Sequence, residues 1–406
     1  MFTRAAAGAR GTPLALTYVL CALVMVIDGY DLAAMPLAVP HVARQWGIPP
    51  QDFGWSLSAV LFGLGLGAIL LGSLGDRFGR RPAVLVATTA IALATAATAT
   101  AGSVTEFILW RFLTGAALGA CLPNITALTA ELAPAQRRAG LITITSCGVA
   151  VGGMAAGLIA PQLVERGGWQ MLFLASAGFT LVLIGLLALW LPESPKFGAE
   201  ARAGVQPRLS ILAPLAPRHR GATLIFVGLY TVNALALYML TSWIPTILPQ
   251  AGFSLAAGAR MAAVVQGGGL IAGLLLSWFL DRSRTVGALT AGYLIVAACL
   301  AAFSILPPAA ASWGLLLLVV GGGISGSHLA LMAVGTSFYP PQMLSSAIGI
   351  AVAIARLGAI AGPLLGGWAI GQEFGAPGFF LLLMVPVLIC AAGVRAIPVA
   401  QRGSAA

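Results

Sequence analysis

The sequence predicts an all-α membrane protein with twelve transmembrane helices arranged in two six-helix halves. Three observations lead to this fold class: 59% of the 406 residues are hydrophobic, only 8% are charged, and the apolar residues form long uninterrupted runs. Soluble domains carry about 25% charged residues. The 21 basic and 11 acidic residues cannot cover the water-facing surface of so long a chain. Soluble enzymes, nucleic-acid-binding proteins and disordered proteins are therefore excluded.

Each apolar run is long enough to cross the hydrocarbon core of a bilayer, which takes about 20 residues. The runs must be helical because lipid offers the backbone no hydrogen-bond partner. They cover residues 14–40, 54–75, 82–102, 105–129, 139–164, 170–191, 221–248, 257–280, 285–306, 313–336, 345–371 and 376–396. The first run is too long for a cleavable signal peptide, so we expect it to be the first span.

The basic residues between the runs predict the orientation of the chain. If the N-terminus is inside, the inner loops and tails hold 16 of the 21 basic residues and the outer loops hold three. This asymmetry places both termini in the cytoplasm. It also accounts for the net charge of +10 without nucleic acid, because the lipid bilayer presents an anionic inner leaflet to these loops.

The longest polar connection covers residues 192–220 and divides the chain into six spans in 1–191 and six in 221–406. Each half carries a short Asp–Arg turn after its second span, Asp76-Arg77 in the first half and Asp281-Arg282 in the second. Such weak internal symmetry is typical of secondary transporters built from two repeats. It favours a six-plus-six architecture.

The inner turn after the second span carries the sharpest loop pattern in the sequence. Its pattern residues are Gly72, Asp76, Arg77, Gly79, Arg80 and Arg81. An aspartate among arginines can form ion pairs that hold the cytoplasmic helix ends in one conformational state. Glu131, which lies beside Arg137 and Arg138, is expected to join this cytoplasmic gate, and Asp281 and Arg282 echo it in the second half. The alternative is a simple positive-inside anchor.

Two aspartates lie near the middle of the first span. Charges in the hydrocarbon are costly and therefore mark functional candidates. Asp28 and Asp31 are three residues apart and share a helix face, where two carboxylates in a low dielectric resist double ionisation. We expect them to carry the coupling proton. The alternative is that one bonds to the helix backbone and the other pairs with an arginine.

Two arginines lie inside spans. Arg111 is at a depth similar to that of Asp31, where structural pairing and a proton relay are both open. Arg356 lies near the middle of the eleventh span, and no acidic residue of its own half lies at that depth. Its guanidinium can bind a carboxylate through two hydrogen bonds, which indicates an anionic substrate. The alternative is that Arg356 pairs with Asp28 or Asp31.

Aromatic and polar side chains inside the spans are further substrate-binding candidates, because aromatic side chains could sandwich an aromatic ring. These candidates are Tyr30, Tyr238, Trp243, Asn233 and His328. A histidine in a span is either a hydrogen-bonded packing residue or a ligand for substrate or proton. No residues are spaced as a metal site, and we expect no cofactor and no catalytic residues.

Several segments together resemble a known family. The inner turn is similar to that shared by the major facilitator superfamily. Five further segments resemble its aromatic acid:proton symporters: Asp28-Gly-Tyr-Asp31; Arg111 to Gly119 with Pro123-Asn124 and Glu131; Leu191-Pro-Glu-Ser-Pro195; Tyr238 with Ser242-Trp243-Ile-Pro-Thr246; and Tyr339-Pro340 with Arg356-Leu-Gly358 and Gly362-Pro363-Leu-Leu-Gly-Gly367. The resemblance covers nearly the whole chain.

The resemblance implies the major facilitator fold and uptake of a benzoate or hydroxybenzoate with protons across a bacterial inner membrane. The family's coupling residues would correspond to Asp28, Asp31 and Arg356. We expect a monomer. Two positions depart from the family pattern: Leu344 stands where the family usually has an arginine, and His328 stands where a neutral amide is expected.

Other classes of membrane protein fit less well. A drug antiporter should carry a Gly-Pro pair in its fifth span, and Gly148–Gly153 contains no proline. A membrane enzyme should show clustered acidic ligands at a membrane edge, and a sensor should carry a long soluble domain; the sequence has neither. A carrier of another small organic acid, a sugar or a drug is the alternative to an aromatic-acid symporter.

Overall fold

The computed structural model describes residues 13–194, 214, 216–280, 285–336, 338–339 and 341–398. These residues form thirteen α-helices and no strand. The helices are α1 (Leu14–Trp46), α2 (Gly54–Leu70), α3 (Leu74–Phe78), α4 (Arg80–Thr98), α5 (Val104–Leu132), α6 (Arg138–Gly167), α7 (Gln170–Trp190), α8 (Pro217–Gln250), α9 (Leu255–Leu280), α10 (Thr285–Ala302), α11 (Ala310–Thr336), α12 (Pro341–Gly371) and α13 (Gly375–Gly393).

Twelve of these helices correspond in order to the twelve predicted spans. Eleven are long and apolar enough to cross a membrane, and α10, apolar over Val286–Ala302, is shorter. The remaining helix, α3, is a five-residue helix inside the inner turn. The first helix continues to Trp46, six residues beyond its predicted end, because nothing between Val39 and Gln45 breaks the helix except Pro40, which a long helix tolerates.

Local sequence signals set the ends of α5. The Ser103 Oγ accepts a hydrogen bond from the Glu106 amide at 3.2 Å, and the Glu106 carboxylate accepts one from the Gly102 amide at 2.9 Å. This reciprocal pairing satisfies amides that the first helical turn leaves free. At the other end Ala133 is extended and precedes Pro134, which disfavours a helical residue before it.

Packing divides the chain into two compact units. Unit 1 is Met1–Ala38 with Ala59–Val205, and unit 2 is Val39–Ser58 with Gln206–Ala406. Val39–Ser58 precedes the rest of unit 2 by almost 150 residues in the sequence, yet it packs there: the Ser58 hydroxyl donates to the Ile360 main-chain oxygen at 2.8 Å. Within unit 1, α4 packs on α5 and α7; within unit 2, α10 packs on α11 and α13.

The same helix pairs approach closely in both units, and glycine permits the approach. In unit 1 the first and fifth spans touch, where a Cβ on Gly29 would lie 1.8 Å from the Val149 oxygen. In unit 2 the corresponding pair is α8 and α12, where a Cβ on Gly358 would lie 2.1 Å from the Thr231 oxygen. Small residues let membrane helices pack backbone to backbone. The seventh and eleventh spans therefore approach each other as the first and fifth do.

Candidate functional site

The carboxylate of Asp31, on α1 in unit 1, is fully buried. Two hydroxyl groups surround it: Ser176 Oγ from α7 at 3.0 Å from Oδ1, and Thr95 Oγ1 from α4 at 3.3 Å from Oδ2. Asp28, one turn earlier on α1, is also buried, with 3% of its surface exposed. Hydroxyl partners can donate to a charged carboxylate or accept from a protonated one, so the surroundings of Asp31 suit either state.

Arg111 is fully buried beside the main chain of α1. Its Nη2 donates to the main-chain oxygen of Asp31 at 2.8 Å, and its guanidinium lies over the Phe173 ring at 5.9 Å from the centroid. The positive charge of Arg111 also acts on the Asp31 carboxylate. Two further nitrogens, Nε and Nη1, have no hydrogen-bond partner among the described residues. The structure thus brings Arg111 and Asp31 together and leaves two guanidinium nitrogens able to donate further hydrogen bonds.

Tyr30 lies between the two aspartates in the sequence. Its side chain is 8% exposed, and its buried hydroxyl has no partner in the described parts of the chain. A buried hydroxyl without a partner costs free energy, and a ligand or water can remove that cost. The role of Tyr30 in substrate binding stays a prediction.

Unit 2 has a polar cluster of a different kind. Tyr293 OH from α10 donates to Asn233 Oδ1 from α8 at 2.8 Å. Asn233 Nδ2 lies 3.2 Å from the Ile324 oxygen and 3.1 Å from Nδ1 of His328, both on α11. The His328 ring stacks on Tyr230, with ring centroids 4.2 Å apart and an interplanar angle of 14°. The imidazole of α11 is thus contacted at one nitrogen by Asn233, which Tyr293 supports, and on one face by Tyr230.

Arg356 from α12 and Tyr238 from α8 lie near this cluster, and both side chains are partly exposed. The charge of Arg356 acts on both Tyr230 and His328, and Tyr238 also interacts electrostatically with Tyr230. Trp243 differs from them: it is fully buried, and its Nε1 donates to the Pro363 oxygen at 2.8 Å. Its ring also fills the space beside Gly366. The polar group of Trp243 is thus already used inside unit 2.

The inner turn of unit 1 is organised around Arg80. Its Nη2 lies 3.0 Å from Asp76 Oδ1 and 2.8 Å from Glu131 Oε1, and its Nη1 lies 3.4 Å from Asn124 Oδ1. The predicted partners of Glu131, Arg137 and Arg138, are exposed, whereas the Glu131 side chain is 10% exposed and pairs with Arg80. The guanidinium therefore connects the turn to the inner end of α5.

The glycines of this turn make room for polar side chains. A Cβ on Gly75 would lie 1.7 Å from Asn124 Oδ1, and Asn124 Nδ2 donates to the Gly72 oxygen at 3.1 Å. Gly79 has φ of 103°, which favours glycine, and a Cβ there would lie 2.6 Å from Glu193 Oε2. The side chains of the other two arginines of the turn lie outside this cluster of contacts. Arg77 is exposed beside the Phe78 ring, and Arg81 Nη2 donates to the Ala188 oxygen.

Two residues of the Leu191–Ser194 segment complete the cluster. Glu193 Oε1 accepts from the first two amides of α4, Arg80 N at 2.8 Å and Arg81 N at 3.3 Å. A carboxylate at a helix N-terminus satisfies free amides and complements the helix dipole. Ser194 Oγ donates to Glu131. The second-half counterparts, Asp281 and Arg282, lie outside the described residues, as does the side chain of Leu344.

Sequence reasoning missed several of these residues for physical reasons. Ser176, Thr95, Tyr230 and Tyr293 are uncharged residues in apolar spans, and nothing in the sequence places them beside Asp31 or His328. Glu193 and Ser194 could have been found, because they belong to a segment already quoted for the family resemblance. Among the described residues no group of three or more His, Cys, Asp or Glu side chains could hold a metal ion.

A family model, the Major Facilitator Superfamily, matches residues 21–352. The 3-(3-hydroxy-phenyl)propionate transporter of Escherichia coli (strain K12) is 33% identical, with 94% of this chain and 93% of the relative covered. The gallate transporter of Pseudomonas putida is 30% identical, with 94% and 91% covered. Among solved structures, a D-xylose-proton symporter superimposes with a TM-score of 0.77 at 18% identity, covering 94% of this chain and 96% of that one.

Proposed function

The chain belongs to the Major Facilitator Superfamily and, within it, to the aromatic acid:proton symporter family, and on this premise we propose that it imports an aromatic carboxylate of the benzoate or hydroxybenzoate type together with protons. It is a multi-pass membrane transporter with the twelve-helix, two-half major facilitator fold, and it is not an enzyme. The substrate is carried by alternating access, in which the binding site opens to one side of the membrane at a time.

One observation supports this function most directly. Arg356 lies within the spanning helix α12, and its neighbours Tyr230 and His328 are aromatic side chains rather than acidic ones. An arginine in such surroundings is suited to a carboxylate, which its guanidinium can bind through two hydrogen bonds. Aromatic side chains beside it can pack on the ring of the same substrate. Within unit 2, Arg356 therefore binds the carboxylate and Tyr238 packs on the ring.

Asp31 and Asp28 carry the coupling proton. Asp31 is fully buried among hydroxyl groups that suit its charged and its protonated form, and Arg111 lies against the main chain of the same residue. For symport, substrate and proton must each raise the affinity of the other, and this coupling is reciprocal by linkage. A buried carboxylate whose proton affinity depends on a neighbouring arginine can provide that coupling. Arg111 thus acts on the proton site by pairing or relay.

The Arg80 cluster is the cytoplasmic gate of unit 1. Its members are Gly72, Asp76, Arg80 and Glu131, with Arg77 and Arg81 at its exposed side, and Asn124, Glu193 and Ser194 join it. Ion pairs near water can be exchanged at moderate cost. Such pairs can stabilise one conformational state of the carrier and release it in another.

The carrier resides in a bacterial inner membrane as a monomer, with both termini and the 192–220 connection in the cytoplasm. The asymmetry of basic residues supports this orientation. A Gln206→Cys variant tests it. We expect an impermeant maleimide to label this cysteine in inverted vesicles and not in intact cells. Labelling in intact cells would show that the proposed orientation is wrong.

Uptake into proteoliposomes tests the function. The purified protein is reconstituted and given radiolabelled benzoate, the three monohydroxybenzoates, or D-xylose, with and without an inside-alkaline pH gradient. We expect accumulation of at least one aromatic acid only when the gradient is imposed, and none of D-xylose. Equal uptake with and without the gradient would remove proton coupling. Uptake of none of the acids would remove the proposed substrate class.

A further inference from the structure

The amide of Asn233 has a defined orientation, and this fixes more than its own position. The main-chain oxygen of Ile324 can only accept a hydrogen bond, so the amide nitrogen must face it. The opposite atom, Oδ1, then accepts from the Tyr293 hydroxyl at 2.8 Å. Asn233 and Tyr293 are both fully buried. The hydrogen bond between Tyr293 and Asn233 therefore has one direction, with the Tyr293 hydroxyl as the donor.

This direction determines the tautomer of His328. The second hydrogen of Asn233 Nδ2 points to Nδ1 of the imidazole at 3.1 Å, so Nδ1 must be the acceptor. In a neutral imidazole the other nitrogen then carries the proton. Nε2 is thus an N–H donor, and no described residue accepts from it. Tyr230 stacked on one face keeps the ring plane in place.

We infer that His328 is a specificity-determining residue that donates from Nε2 to a ring hydroxyl oxygen of the substrate, and that Asn233 and Tyr293 are positioning residues that keep this donor in place. The inference rests on the proposed function, because it takes the substrate to be an aromatic acid held by Arg356. A guanidinium matches the carboxylate end, and a neutral N–H donor matches a neutral oxygen on the ring. His328 as a residue is partly exposed, so it lies where a ligand can reach it.

The cost of the cluster supports this role over simple packing. Two polar side chains, Asn233 of α8 and Tyr293 of α10, are used to orient one ring, although apolar residues of the same shape could fill this space. Both polar side-chain atoms of Asn233 are used internally, so among the described residues the Tyr293–Asn233–His328 series leaves Nε2 of His328 as its donor to a ligand. A binding group that can hydrogen-bond a substrate hydroxyl discriminates against the analogue that lacks it.

Two substitutions of the same histidine separate its donor from its bulk. Glutamine places an amide N–H near the position of Nε2, whereas asparagine places one near Nδ1 and cannot reach the substrate. The readout is the ratio of half-inhibitory concentrations of benzoate and of the preferred monohydroxybenzoate, measured in competition with uptake of a labelled aromatic acid into proteoliposomes. We expect the wild type to prefer the hydroxybenzoate about tenfold, His328→Gln to keep most of this preference, and His328→Asn to lose it.

The positioning residues have their own test. Tyr293→Phe removes the hydroxyl that orients Asn233, and we expect the preference for the hydroxybenzoate to fall about threefold, because KM rises more for the hydroxybenzoate than for benzoate. The matched control is Tyr339→Phe, which removes a hydroxyl that donates to Thr223 at 2.9 Å and is not part of the cluster. This control should keep the wild-type preference.

The outcomes distinguish failure of the inference from failure of the function. If the wild type takes up none of the aromatic acids, the proposed function is wrong. If it takes them up but shows no preference for a ring hydroxyl, or if His328→Asn keeps that preference, the inference is wrong. Equal loss of affinity for benzoate and hydroxybenzoate in His328→Asn and Tyr293→Phe would also overturn it, because the cluster would then only support the fold.

Discussion

The two units repeat the same helix packing but bury opposite kinds of chemistry. Unit 1 buries two carboxylates, Asp28 and Asp31, together with Arg111. In the described part of unit 2 no acidic residue is buried, since Asp52 and Glu373 are exposed. Its polar interior consists of Arg356, His328 and uncharged groups. The repeat therefore supplies a common scaffold, and the difference lies in the side chains placed on it.

This difference indicates a division of labour. A proton site needs a carboxylate whose two states are both tolerated, and Asp31 has hydroxyl partners that serve either state. A site for an organic anion needs positive charge that no protein carboxylate already neutralises, and unit 2 offers Arg356, with no buried carboxylate among the described residues of that unit. We propose that unit 1 binds the proton and unit 2 binds the carboxylate end of the substrate. Exchanging the chemistry of either unit should then disable one function and spare the other.

The largest effect is expected at Arg356. Arg356→Ala should weaken binding of benzoate or hydroxybenzoate about a hundredfold or more, because the carboxylate loses its charged partner. Arg356→Lys should also bind weakly, since an ammonium cannot form the two parallel hydrogen bonds. Affinity is measured on purified protein in detergent by scintillation proximity. The matched control is Arg260→Ala, an exposed arginine on α9, which should bind normally. Normal affinity in Arg356→Ala would place anion recognition elsewhere.

The next effect tests unit 1 alone. Asp31→Asn keeps the shape of the side chain and removes its proton, so accumulation driven by a pH gradient should be lost, and Asp28→Asn is expected to behave similarly. Exchange of labelled for unlabelled substrate should persist, because exchange needs no net proton movement. Both are measured in proteoliposomes, with the exposed Glu165→Gln as control. If both asparagine variants still concentrate substrate with wild-type pH dependence, the proton site is not this pair of aspartates, and His328 becomes the next candidate.

The contrast between the units was only half accessible from the sequence. Composition and run length predict the spans, because lipid excludes charge and leaves no other conformation for such runs. The charged residues of the spans stand out for the same reason, so Asp28, Asp31, Arg111 and Arg356 could be identified one by one. The family resemblance then assigned them to an aromatic-acid symporter, and the family is confirmed.

What surrounds those charges could not be predicted. Ser176 is 145 residues from Asp31 in the sequence, and Tyr293 is 60 residues from Asn233. A serine, threonine or tyrosine costs little in a span, so its type alone does not mark it as functional. Which hydroxyl meets which carboxylate depends on helix rotation and register, which hydrophobicity does not encode when a helix is apolar on every side.

A third, smaller effect tests the inner end of unit 1. Arg80→Ala leaves Glu131, whose side chain is 10% exposed, without its guanidinium, which should lower the stability of the protein by about 2 kcal/mol. The uptake rate should fall about tenfold with little change in substrate affinity, because Arg80 acts on the gate and not on the ligand. Arg77→Ala, exposed in the same turn, should change neither. Thermal unfolding in detergent and initial uptake rates give the two readouts. If the two variants behave equally, the turn is a simple positive-inside anchor and not a gate.

The smallest effect concerns Trp243 and sets the limit of the anion site in unit 2. The sequence predicts that Trp243 contacts substrate, whereas its indole is fully buried and its N–H is bonded to the Pro363 oxygen at 2.8 Å. Trp243→Phe keeps an aromatic ring but loses the donor and part of the indole, so beyond the lost packing it should lower stability by about 1 kcal/mol and leave affinity for aromatic acids unchanged. Trp313→Phe is the matched control, because its Nε1 is 3.4 Å from the Leu306 oxygen and a longer bond should contribute less. A tenfold loss of affinity in Trp243→Phe with unchanged unfolding would show that the substrate site extends along α8 beyond Tyr238 to Trp243.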